Sequence, residues 1–313
     1  MTEAPPCPSG LDRTECRVQG QVIPQDLLGE LRETAFDRAQ GDVLRQRLEE
    51  DGYLLLRRIT AEDLVRAARE EVFGRLAEVG EIRQPVVEGI ATGTSRRREM
   101  VADLGKFWQS VSEGPALRRV SHGVAIQQVM DTVLGEPARA QDYIFLRPSV
   151  PGRATNLHYD FPFFARGSSR IYTVWTAIGA IAACEGPLVV VEGSHHFRDL
   201  IDPVLQIDYS SPGSGQVSIT SSAIELARER KSRLLTTAFQ PGDVLIFGMT
   251  ILHGSLDNHS PIGRARLSSD VRWQPASDPI DPRYVGPNPP GTTGAGYGEL
   301  NGAKPLDVPW HVR

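Results

Sequence analysis

Between residues 141 and 275 the apolar segments are short, β-like and closely punctuated. They read "YIFLR", "LHYDF", "IYTVWTAI", "PLVVV", "LLTTAF", "DVLIF" and "RLSSDVRW", with Gly, Pro, Ser and Asp between them. Many short strands at this density suggest a sandwich or a barrel. A closed double sheet protects its strand edges and leaves a cavity between the sheets. The expected fold is therefore mainly β with flanking helices, on a double-stranded β-helix core of the jelly-roll or cupin-like kind.

The helices come first. Leu27, Leu28, Leu31, Leu44 and Leu48 predict a helix over residues 26 to 50, with a break at Gly41 and a stop at Gly52. "YLLLRRI" (53 to 59) reads as a buried strand. Thr60 opens the next helix, with Asp63 at its third position in a near capping box and Leu64, Ala68, Val72 and Leu76 on its apolar stripe. A further helix is predicted from Pro115 to Gly135, and a short helix or polar excursion over 221 to 232. Residues 1 to 24, rich in Pro, Gly and Ser, read as a flexible arm. Residues 25 to 277 read as a single domain, helical to about 138 and β from 139. Residues 278 to 313 read as a Pro/Gly-rich tail, which Tyr284, Tyr297, Leu306 and Trp310 should hold against the core. Residues 83 to 110, which mix Gly with aromatics outside the β region, read as a lid.

Net charge is −5, which gives no nucleic-acid footprint, and the one dense basic run, Arg96 to Arg98, reads as a solvated loop. Three cysteines, Cys7, Cys16 and Cys184, make no disulfide framework and point to a reducing cytoplasm. No signal peptide and no membrane-spanning run is visible. The expectation is a cytoplasmic monomer or homodimer whose partner is a small molecule.

In "NLHYDFPFF" (156 to 164) a strand would place His158 and Asp160 on one face, about 6–7 Å apart at Cα. Downstream, "GDVLIFGMTILHGSLDNHSPIGRARLSSDVRWQP" carries a second imidazole, His253, and then Arg264 and Arg266. Two imidazoles and one carboxylate on one face of a metal leave the opposite face open, the facial triad of non-haem Fe(II) oxygenases. A dicarboxylate co-substrate chelating that iron would need a buried cationic anchor, which a guanidinium provides bidentately. Arg264 and Arg266 share strand parity, so alternation does not choose between them.

Together "GYLLLR", "LHYDFPFF", "VWTAIGAI", "EGPLVVVEGSHHF", "QPGDVLIFGMTILHGSLDNHS" and "RARLSSDVRWQP" resemble the phytanoyl-CoA dioxygenase family over about residues 45 to 275. The resemblance implies an Fe(II)/2-oxoglutarate-dependent oxygenase domain using O2, with His158, Asp160 and His253 as both metal ligands and catalytic centre. It implies Arg264, eleven residues after His253, as the 2-oxoglutarate anchor. It places Trp175 and Ser255 beside the co-substrate, and Lys106, Tyr143 and Gln141 toward it. Phe161, Phe163 and Phe164 read either as core or as lining the substrate mouth beside the iron. Asp160 argues against halogenation, since halogenating relatives carry a small residue there.

The implied reaction converts 2-oxoglutarate to succinate and CO2 while a small-molecule substrate is hydroxylated, in secondary-metabolite biosynthesis. Desaturation, epoxidation or oxidative cyclisation would use the same cofactors. A non-oxidative metal-dependent isomerase or hydrolase on a cupin-like barrel is the alternative of another class, and it gives the arginine no task. His122, His195, His196, His259 and Cys184 are given structural or surface roles.

Overall fold

The computed structural model describes residues 10–211, 222–299 and 301–312. It is β-rich, with the earlier helices packed on the larger sheet and two short later helices on the smaller one. Two very short strands, β1 (Arg17–Val18) and β2 (Gln21–Val22), precede β3 (Leu28–Glu30). Then follow α1 (Gly41–Asp51), β4 (Tyr53–Leu56), α2 (Glu62–Glu78), α3 (Arg97–Met100), α4 (Leu104–Ser112), α5 (Pro115–Ser121) and α6 (Val124–Leu134). The β region comprises β5 (Ala138–Ala140), β6 (Phe145–Ser149), β7 (Arg153–Thr155), β8 (Tyr172–Ala177) and β9 (Leu188–Val191). It continues, after α7 (Arg198–Val204) and α8 (Ala223–Glu229), with β10 (Leu234–Thr236), β11 (Val244–Gly248), β12 (His253–Ser255) and β13 (Arg266–Pro275); β14 (Trp310–Val312) follows.

The larger sheet has the order β4-β11-β8-β13-β5, with β6 also paired to β13; the smaller runs β12-β9-β10-β3. The pairings are antiparallel except for β10 with β3 and β14 with β7, which are parallel. Alternation along the strands sorts the core into layers. Leu245 and Phe247 of β11 and Trp175 of β8 meet Leu188, Val190 and Leu235 of the smaller sheet in one buried cluster. Their neighbours Val244, Ile246 and Val174 face the other way, into the helical layer with Phe73, Trp108, Leu117 and Met130. In α2 the buried residues Val65, Ala68, Val72, Phe73 and Leu76 recur at helical spacing, and each large one buried stabilises the fold by about 1.5–3 kcal/mol.

Several elements differ from the sequence expectation. The helix over 26 to 50 is only α1; Leu28 belongs instead to β3, whose partner β10 lies far away in sequence. Helix α2 starts at Glu62 with Ala61 as a cap that makes no side-chain bond, so Thr60 does not cap it. The 115 to 135 helix is two helices, separated at His122 and Gly123. Residues 10 to 24, read as part of a flexible arm, are packed: Cys16, Val18 and Ile23 are buried on the outer face of the smaller sheet, in the same cluster as Val189 and Leu234. The rest of that arm, Cys7 included, and the first residue of the 221 to 232 excursion lie outside the described residues.

The basic run is not a solvated loop throughout. Arg97 is fully buried, donating to Glu81 Oε2 (2.6 Å) and to the carbonyls of Gly302 (2.8 Å) and Lys304 (3.1 Å). Glu81 Oε1 accepts from the backbone N–H of Leu306 at 3.0 Å, and Arg153 donates to the carbonyls of Pro305 and Val308. The C-terminal segment is thereby latched to two buried arginines, and α4, inside the expected lid, packs beneath it through Phe107 and Trp108. Arg97→Met leaves Glu81 buried without its cation. The expected cost is about 3–5 kcal/mol of unfolding free energy, measured in denaturant; a cost below about 1 kcal/mol, the scale of an exposed pair, would count against the latch.

Among the described residues no helix is long and apolar enough to cross a membrane.

Candidate metal centre

His158 lies just beyond β7 and His253 opens β12. Their backbones exchange two hydrogen bonds, His158 N–H to His253 O at 2.9 Å and the reverse at 3.1 Å. Residues paired in this way carry their side chains on the same face, and the two imidazole centroids are 4.4 Å apart. Close approach of β12 to β7 makes this possible, and Gly254 permits it. A Cβ there would lie 2.6 Å from the carbonyl oxygen of Thr155 and 3.0 Å from that of Asn156. Gly254→Ala must push two backbones apart, so we expect a loss of about 1–3 kcal/mol in stability together with weakened metal binding. Thermal melts with and without Co(II) measure both, and wild-type behaviour in both would refute the packing argument.

The strand expected through residue 160 stops earlier. Asp160 has helical dihedrals (φ −77°, ψ −22°) and begins a 3-10 turn over Phe161–Phe163. The turn brings its carboxylate back onto the imidazoles, with Oδ1 3.5 Å from His158 Nε2 and Oδ2 3.8 Å from His253 Nε2. Ligand atoms of the three residues all lie within 4.8 Å of one another, and all three residues are buried.

Both imidazoles are oriented from behind. His158 Nδ1 donates to the carbonyl of Asn156 at 2.9 Å and His253 Nδ1 to that of Ile251 at 3.1 Å. This fixes the tautomer in which Nε2 carries the lone pair and faces Asp160. Burial alone would push the Asp160 carboxyl up. The Arg272 guanidinium, then the two imidazoles, outweigh it and hold the group well below the usual carboxylate range. Arg272 Nη2 donates to Asp160 Oδ2 at 2.6 Å, and the Thr173 hydroxyl donates to the same oxygen at 2.8 Å. Two imidazoles and a carboxylate converging in a buried site suit Fe(II).

A cavity opens beside this triad. Trp175, Thr155, Ser255, Phe247 and Leu188 line it with both histidines, and so do Arg147, Arg266 and Asp270. Here the structure departs from the family spacing. Arg264 precedes β13, is only partly buried, and pairs with Glu185 at 3.2 Å. Arg266 is the first residue of β13 and is buried; its Nη1 donates to the carbonyl of Gly186 at 2.8 Å. It makes no ion pair among the described residues. Burial, then the neighbouring Arg147, lower its affinity for a proton to a pKa of about 10, so an anion in the cavity would be strongly stabilising.

The other expected residues scatter. Trp175 and Ser255 line the cavity, Ser255 Oγ accepting from Thr155 N–H at 2.9 Å. Lys106 is exposed, 3.9 Å from Asp103, in a separate surface groove with Gln109 and Asn288. Tyr143 is buried and stacks on Tyr297 (4.3 Å), outside the cavity lining. Gln141 is buried opposite Arg272, its backbone N–H bonded to the Arg272 carbonyl at 2.8 Å. Phe164 packs against Arg272, while Phe161 and Phe163 are half-buried on the turn after Asp160. His122, His195 and His259 each bond a backbone carbonyl away from the triad.

Sequence reasoning missed Arg147, Asp270 and Arg272. The available signal was period two in "RLSSDVRWQ": Arg266, Asp270 and Arg272 share one face of a strand that is buried along its whole length.

A triad of this composition, with a cationic cavity beside it, defines an iron- and 2-oxoglutarate-dependent oxygenase, an oxidoreductase. The chain belongs to the phytanoyl-CoA dioxygenase family, whose sequence model matches residues 48–266. It is 27% identical over 238 residues to the 1-deoxypentalenic acid 11-beta-hydroxylase of Streptomyces arenae, covering 73% of this chain and 79% of that one. It is 28% identical over 241 residues to the protein of the same name from Streptomyces exfoliatus, with the same coverage of 73% and 79%. In three dimensions it is similar in fold to the epimerase SnoN in complex with Fe3+, alpha ketoglutarate and nogalamycin RO. There the TM-score is 0.50 and the identity 17%, over 80% of this chain and 88% of that one.

Proposed function

We propose that this chain hydroxylates a small molecule of secondary metabolism, consuming 2-oxoglutarate and O2 and releasing succinate and CO2. The observation that carries the reading is Arg266: a buried guanidinium with no carboxylate partner among the described residues, in the same cavity as the metal-facing imidazoles. In this reading His158, Asp160 and His253 hold the iron. Arg266 takes the far carboxylate of 2-oxoglutarate in place of Arg264, Ser255 adds a hydroxyl, and Trp175 forms a wall. Iron, 2-oxoglutarate and O2 together supply the oxidising power to break an unactivated C–H bond. The protein binds, orients and keeps water out, and Phe161 and Phe163, beside Asp160, offer an apolar wall to the substrate.

Residues 25 to 277 form the oxygenase domain in this proposal, with the two facing sheets as its double-stranded β-helix. The relatives' names make 1-deoxypentalenic acid the first compound to test. The assay is anaerobic loading with Fe(II) and 2-oxoglutarate, admission of O2, and mass spectrometry of the product alongside succinate. A gain of one oxygen with matching succinate supports hydroxylation; a loss of two hydrogens would assign desaturation. Metal binding without any 2-oxoglutarate turnover would sink the reading.

A further inference from the structure

Arg272 does not line the cavity, but it contacts the candidate ligand Asp160 directly from behind. Its guanidinium lies between two aromatic rings, 4.5 Å from the centroid of Phe145 and 4.3 Å from that of Phe164. Its Nη2 is 2.6 Å from Asp160 Oδ2, and both side chains are 1% exposed. Its Nη1 is 3.8 Å from Asp270 Oδ2, itself held by Arg147 at 2.7 Å. Phe164 is four residues beyond Asp160 and packs against Tyr284, 4.8 Å between centroids; the Tyr284 hydroxyl donates to Phe163 O at 2.8 Å. A planar cation between two rings keeps few rotamers, so it fixes the direction of the carboxylate it binds.

We propose that Arg272 is a positioning residue for the metal ligand. Together with Thr173 it holds Oδ2 and turns the carboxylate so that Oδ1 serves the metal. Two donors, Arg272 and Thr173, converge on Oδ2 and use its two lone pairs. Oδ1 is the oxygen nearer His158 Nε2. The proposal rests on the metal-centre reading but not on the choice of co-substrate or substrate.

The test is titration of the full chain, stripped of metal and under anaerobic conditions, with Co(II) alone, followed by calorimetry and by the visible ligand-field bands. Arg272→Met is expected to weaken Co(II) binding by about 10- to 100-fold and to shift those bands. Thr173→Val should cause a smaller loss in the same direction, and Arg272→Lys should recover part of the affinity. A residue that is merely structural would lower the melting temperature but leave the bands in place. Arg272→Met binding Co(II) within about twofold of wild type with unchanged bands overturns the proposal, a gap far below the usual effect of removing a ligand's orienting partner. Should Arg272→Met not fold, unchanged affinity and bands in both Thr173→Val and Arg272→Lys overturn it equally. Wild-type protein that takes no Co(II) overturns the metal-centre reading itself, and the proposal with it, which keeps the two failures apart.

Discussion

His158→Ala and Asp160→Ala should both abolish tight metal binding, and the second should damage the metal-free fold more. In the proposed centre each variant removes one of three ligands, so affinity should fall at least as far as the ~10–100-fold that changes behind the ligands cost. The two differ in what they strand. Removing His158 deletes a ring whose Nδ1 bonds the Asn156 carbonyl, on a half-buried residue. Removing Asp160 leaves the Arg272 guanidinium, 1% exposed, without the oxygen 2.6 Å away. Breaking a buried pair from one side costs about 3–5 kcal/mol. Denaturant unfolding of the chelator-treated proteins reads this directly. Equal stabilities for the two variants would mean that Arg272 is served elsewhere, by Asp270 at 3.8 Å.

The second large effect separates two arginines. Arg266→Leu is expected to raise the concentration of 2-oxoglutarate needed for half-saturation by roughly 30- to 1000-fold, corresponding to about 2–4 kcal/mol for one buried charged partner. Arg264→Leu should change it by less than about threefold, because its partner Glu185 is the group it would lose. The weak visible absorption of the anaerobic Fe(II)–2-oxoglutarate complex reports the titration. A large effect at Arg264 and a small one at Arg266 would restore the assignment that family spacing implies.

The two arginines mark where sequence reading stops. They share parity, and the family interval points to Arg264; what separates them is where β13 begins, a boundary fixed by pairing with β6 and β8. The convergence of His158, Asp160 and His253 was legible because residue type and order carry it. The route was not the strand extension that the alternation suggested, but a turn at Asp160. Short buried strands such as Tyr53–Leu56 and Val244–Gly248 were legible from uniform apolarity between turn residues. Strand β3 was not. Leu27, Leu28 and Leu31 fit helical spacing, and only their parallel partner at Leu234–Thr236 makes the segment extended. Arg97 looked like one of three solvated charges because nothing local says that Glu81 and the backbone of Gly302 and Lys304 will enclose it.

The pairing of β14 with β7 bears on the order in which the centre can be finished during synthesis. Trp310–Val312 lies in parallel register against Arg153–Thr155, the strand that delivers His158, and Arg153 is held by carbonyls at 305 and 308. A nascent chain emerging from the ribosome can fold its helices early, since their contacts lie close in sequence. The strand leading into the first candidate ligand is completed by a partner translated much later in the chain. A chain cut short before residue 302 would carry all three candidate ligands and still lack the strand and the carbonyls that hold β7.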